Sequence, residues 1–140
     1  MPKKPTRRRC RRICCRCALF FLMVFGMIEF GRAIMVQQVL TNASREGARV
    51  AVLDSATPTH DKVVSTVTTY LQNAGISGAT VTIDAGAAHS TEPTAAAYGE
   101  SVKVSTQIPF SSVSWLPTPW FLTPSTQLHA STVMRRETVQ

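Results

Sequence analysis

The residues able to carry chemistry in this 140-residue chain are few and poorly placed for it. His60, His89 and His129 lie far apart, and none stands one helical turn from another metal-ligating side chain. No HExxH, GxSxG, GxGxxG or Walker-type loop occurs, so the usual arrangements of a metalloprotease, a serine hydrolase or a nucleotide enzyme are missing. Ser and Thr are abundant, but strand alternation and loops already account for them. Cys10, Cys14, Cys15 and Cys17 form C-x3-C-C-x-C, and four thiolates could hold a zinc ion or a cluster. The spacing is not that of a finger or ribbon, and in a helix Cys15 and Cys17 are too close to point together. The simpler reading makes them incidental residues at the start of an apolar span. No catalysis, no cofactor and no metal are expected.

The charge is a property of one end. Lys3, Lys4, Arg7, Arg8, Arg9, Arg11, Arg12 and Arg16 lie in the first seventeen residues, so the net +7 divides into +8 there and −1 over the remainder. A basic nucleic-acid domain would spread its cations over a folded face, so no nucleic-acid partner is expected. Directly after the tail come Ala18, Leu19, Phe20, Phe21, Leu22, Met23, Val24, Phe25, Gly26, Met27 and Ile28, with no polar side chain among them. As a helix this run covers about 16 Å, roughly half of a bilayer core.

The run must therefore borrow length, backwards through Ile13 to Cys17 or forwards through Phe30, Ala33, Ile34, Met35 and Val36. From Cys17 to Val36 the helix would reach about 30 Å, enough for one span with Glu29 and Arg32 near the outer interface. A pair between Glu29 and Arg32, at i and i+3, would lower the cost of both charges. A cleaved secretory signal and a soluble core helix are the alternatives. The first lacks a convincing small-x-small site between Glu29 and Ala33. With the positive side inside, the tail is cytoplasmic and everything after about residue 36 is outside, with membrane lipid as the first partner.

The helical period continues beyond the span. Val36, Val39, Leu40, Ala43, Gly47, Val50 and Ala51 form one stripe, opposite Gln38, Asn42, Arg45 and Arg49. Ala43, Gly47 and Ala51 would let another backbone come close; the protein's own sheet is the preferred neighbour and a partner helix the alternative. The segment Asp54 to Thr59 breaks the helix, with Thr57 expected as N-cap and Pro58 at the first position of a second helix. Val63, Val64, Val67, Tyr70 and Leu71 carry that helix to a stop at Gly75.

The period then changes to two, with Val81, Ile83 and Ala85 on one face of a first strand. Val102, Val104, Thr106, Ile108 and Phe110 share a face in a second strand over 101–110, and Leu128, Ala130, Thr132 and Met134 in a third over 126–134. The loop from Gly86 to Gly99 reads as mobile, with Tyr98 anchoring its end. The loop from Ser111 to Ser125 gathers Trp115, Trp120 and Phe121 among prolines. That cluster either closes the core from below or, if exposed, contacts a partner.

The predicted architecture is α+β: a basic tail (1–17), an anchor helix emerging from the bilayer (18–53) and an outer domain (54–140) of one helix and a small three-stranded antiparallel sheet.

Phe25-Gly26-Met27-Ile28-Glu29-Phe30-Gly31-Arg32, followed by Val36 to Arg49 with Asn42, Arg45, Glu46, Gly47 and Ala48, resembles the signature of TadE-like proteins. These are pseudopilin or minor-pilin-like components of the bacterial tight-adherence (Tad/Flp) pilus and its secretion machinery. The closing Ala130 to Glu137 is similar to the family's usual end. The resemblance implies a pilin-like single-pass protein of the bacterial inner membrane. Its partners would be other pilin-like or Tad subunits, and its role in assembly, adhesion or secretion would be non-catalytic. The family's prepilin-like processing site is not carried over, because no Gly or Glu stands between Arg9 and Ala18. A reading from another class is a tethered or secreted binding module that grips its ligand with the loop from Trp115 to Leu122.

Overall fold

The computed structural model of the protein describes residues 7–53, 59–114 and 126–136, with side chains from Arg16 onward except Ala18. A single helix, α1 (Arg7–Val52), is followed by α2 (His60–Asn73) and the strands β1 (Thr80–Ala85), β2 (Ser101–Pro109) and β3 (Gln127–Arg135). The expected α+β order of two helices and then an antiparallel sheet is what the chain adopts. The strands pair in the order β1-β2-β3, both pairs antiparallel. Ile83 stands opposite Val104, and Val104 opposite Thr132.

One core lies between the helices and one face of the sheet. Leu40, Leu71 and Ile108 are its largest buried side chains, joined by Val63, Val67, Val102 and Val104. Each contributes about 1.5–3 kcal/mol of apolar burial. The inward residues alternate as their types require: Ile83 and Ala85 in β1, and Val102, Val104, Thr106 and Ile108 in β2. The outward positions carry Lys103, Gln107, His129 and Ser131.

Helix α2 stops by a Schellman arrangement. Gly75 takes φ +74°, its N–H donates to Gln72 O, and Ile76 N–H donates to Leu71 O. Ile76 and Leu71 are both buried, the apolar contact that accompanies this motif. The other end differs from expectation. Helix α2 begins at His60 with Thr59 as N-cap, and the Thr57 and Pro58 assigned to this role lie outside the described residues. The Thr59 side chain makes no capping bond; instead His60 N–H donates to the Glu92 carboxylate at 3.2 Å. An acid from a distant loop thus serves the helix's positive end.

Two further boundaries move. Strand β2 ends at Pro109 and Phe110 opens a 3-10 turn, because proline cannot donate to a ladder. Strand β3 runs from Gln127 to Arg135, one residue later at each end than expected. The loop from Gly86 to Gly99 is also more constrained than its composition suggests. It contains a 3-10 turn at Pro93–Ala95 with Pro93 and Ala96 buried. The guanidinium of Arg136 donates to Ala96 O at 2.7 Å and Thr94 O at 3.0 Å. Tyr98 does not anchor the loop: it is 73% exposed.

Candidate functional site

The candidate functional element is α1, and it has two halves. From Leu19 to Met35, about 25 Å of helix, its large apolar side chains face no other part of the chain. Leu22 is 75% exposed, Met27 72% and Phe30 68%. At Val36, 5% exposed, burial begins and repeats through Leu40, Ala43, Gly47 and Ala51. The change falls where the sequence reading placed the end of the span. Of the two ways to lengthen the apolar run, the forward one through Ile34 and Met35 is available, because both side chains remain exposed although Met35 borders a cleft with the outer domain. This helix is long and apolar enough to cross a membrane.

The packed half rests on the protein itself. A β-carbon at Gly47 would meet Val67, Val104 and Val63, so this glycine lets α2 and β2 reach the α1 backbone. The stripe of small residues is therefore occupied by the chain's own second helix and sheet, the preferred of the two readings. Gln38, Asn42, Arg45 and Arg49 remain exposed on the opposite side.

Two buried hydroxyls in this interface have no counterpart in the sequence reading. Ser44, fully buried, donates to Thr41 O at 2.9 Å and lies 2.8 Å from Thr132 Oγ1. Thr106, also fully buried, has its hydroxyl 3.4 Å from Leu40 O. The amide of Gln37 reaches past them to donate to the carbonyl of His129 in the edge strand β3 at 2.8 Å. Together these bonds tie two turns of α1, from Gln37 to Ser44, to the sheet.

The charged family-motif residues divide. Glu46 and Arg49 form a one-turn pair at 2.9 Å. The hydrogen bond from Arg49 holds the Glu46 carboxyl below its ordinary range, and Glu46 in turn raises Arg49. Glu29 and Arg32 stand at the same one-turn spacing near the outer end of the apolar half.

The candidates for other chemistry stay apart. His60 and His89 each stand beside a carboxylate, Asp61 and Asp84, at 3.4 and 2.7 Å. Among the described residues no three His, Cys, Asp or Glu side chains converge as metal ligands would. A shallow cleft of about 490 Å3 between α1 and α2 is lined by Glu46, Ser65, Thr66, Thr69, Tyr70 and Asn73, a set of hydroxyls and amides with one carboxylate. Cys17 is exposed and in no disulfide. Trp115, Trp120 and Phe121, the candidate partner contact, lie outside the described residues.

Among the described residues, one helix long and apolar enough to cross a membrane runs without a break into the core of a small α+β domain, an arrangement that suits a membrane-anchored protein. Residues 17–49 match the family model of TadE-like proteins, so the resemblance read from Phe25 to Arg49 is shown over that segment. The matched residues cover the exposed half of α1 and nearly all of its packed half. No curated protein and no solved structure matches the chain.

Proposed function

We propose that this protein is a non-catalytic, membrane-anchored subunit of a tight-adherence pilus or of the related secretion machinery. The observation that carries this reading is the division of α1. Its apolar half is left uncovered by the protein's own fold, its packed half builds the domain core, and the family match spans both. A helix of this kind is held in lipid by its exposed face and presents that face to neighbouring subunits. The eight cations of the tail then keep the N-terminus in the cytoplasm and the head outside the inner membrane.

Helix packing in lipid relies on close van der Waals contact and on polar groups rather than on apolar burial. Gly26 and Gly31, each with open space where a β-carbon would be, are places where a neighbouring helix could approach. Outside the bilayer, the exposed stripe of Gln38, Asn42, Arg45 and Arg49 extends the same surface in polar form. The test is to introduce Leu22→Lys together with Met27→Lys, which places two charges in the lipid-facing half and leaves the domain core untouched. Loss of the chain from the membrane fraction together with loss of pili or secretion is the expected outcome. Normal piliation with a chain no longer held in the membrane would contradict the proposal.

A further inference from the structure

The charged residues of the outer domain are segregated along its length. Asp61, Asp84, Glu92, Glu100, Lys103 and Arg136 all lie towards the end that holds the start of α2, the close of β1 and the loop that Arg136 pins. Among the described residues of the domain, the opposite end has none. From Leu71 to Ile83 and from Val104 to Met134 the sequence contains no Asp, Glu, Lys or Arg. That end carries the stop of α2, the start of β1 and the turn after β2. Ala74, Gly75, Ser77, Ser112 and Val113 there share one cleft with Arg32 and Met35 of α1.

The uncharged end therefore stands level with the last exposed residues of the apolar helix. Its described surface residues are uncharged: Asn73, Ala74, Ser77, Ser111 and Ser112 are exposed, and Phe110 is half-buried. Hydroxyls, amides and an aromatic ring suit the headgroup boundary, whereas carboxylates or ammonium groups pressed against it would be costly to desolvate. Arg32, exposed and lining the same cleft, supplies a cation where lipid phosphates would lie.

We propose that this end of the domain is seated on the outer headgroup layer of the bilayer, so that the head rests on the membrane and its charged end points away. The surface is continuous with the lipid-facing helix and makes no demand for anionic lipid, since the domain contributes no charge to it. This rests on the membrane-anchored reading of α1. Seating would hold the head in one orientation about its anchor, with the charged end presented to whatever approaches from outside.

The test uses the full chain, with its four cysteines replaced by serine, in nanodiscs of phosphatidylcholine. Single cysteines at Ser77, Ser112, Thr94 and Met27 carry a fluorophore, and quenching is read with nitroxides on the lipid headgroup or the acyl chain. Ser77, Ser112 and Thr94 are exposed, so the labels do not disturb packing. Labels at 77 and 112 should be quenched severalfold more by the headgroup nitroxide than the label at 94, and the label at 27 by the acyl-chain nitroxide. Equal quenching at 77, 112 and 94 with position 27 still quenched would overturn the seating and leave the anchor standing. Absence of quenching at 27 would overturn the anchor and the seating with it.

Discussion

Gly47 and Val67 are so close across the α1–α2 interface that a β-carbon at position 47 would lie 2.5 Å from Val67 Cγ2, with Val104 Cγ1 at 3.3 Å on the other side. Valine is branched at its β-carbon and cannot swing away as a long side chain could. Position 47 thus needs hydrogen where any other residue brings carbon, which explains a glycine in mid-helix despite its poor propensity.

Gly47→Ala is expected to destabilise the head by up to about 2 kcal/mol, since overpacking of about 1–3 kcal/mol is set against a gain of about 1 kcal/mol in helix propensity. Gly31→Ala, in open space, should cost nothing in packing. Thermal unfolding of the full chain in detergent measures both. Equal midpoints for the two variants would refute the close packing.

The Ser44–Thr132 contact makes a second prediction. Ser44→Ala removes one partner of a bond inside the α1–sheet interface and should cost about 1 kcal/mol, and Thr132→Val a similar amount. Because they share one interaction, the double variant should cost clearly less than the sum of the two. Additive losses in denaturant titrations would show that the hydroxyls do not depend on each other.

Much of this fold could be read from residue patterns, and the exceptions have physical causes. The alternation of Val102, Val104, Thr106 and Ile108 specifies a face whatever the partner, because a strand's period is fixed by its backbone. The stripe from Val36 to Ala51 is equally plain. Ser44 and Ala48 were outside that reading although both are fully buried. A serine on a helix reads as polar until the strand residue that meets its hydroxyl, 88 positions later, is known. Tyr98 is the aromatic residue at the end of its loop, but Arg136, about forty residues on, binds the carbonyls instead. Long-range contacts of this sort leave no local signal. The apolar run from Leu19 to Ile28 is legible for the opposite reason: its side chains stay exposed and its pattern depends on no distant partner in the chain.

The role of Arg136 can be tested through that loop. Arg136→Ala should raise hydrogen exchange at Ala96 to Gly99 and expose the segment to protease, while the core amides of β2 stay protected. Arg136→Lys should recover little of this, since an ammonium lacks the planar fork that meets several carbonyls. Unchanged exchange in both variants would mean the loop is held by other contacts.

The Glu46–Arg49 pair sets a pH dependence of known sign. Arg49 lowers the folded-state pKa of Glu46, so the pair's contribution is fully present above the unfolded carboxylate value of about 4.3 and is lost as pH falls through the depressed folded value. Both side chains are well exposed, so the effect on stability is small and weakens with salt. Carboxyl NMR should show the Glu46 titration moving up towards its ordinary range in Arg49→Gln. An unmoved titration would assign the shift to another cause.

The most direct test of the whole account is photo-crosslinking in native membranes from the exposed helix positions Met27 and Asn42, with Thr94 on the distal loop for comparison. If α1 anchors the chain and assembles it with neighbouring subunits, positions 27 and 42 should give adducts with other components of the pilus or secretion machinery. Protein adducts from Thr94 alone, with none from either helix position, would contradict assembly through the helix.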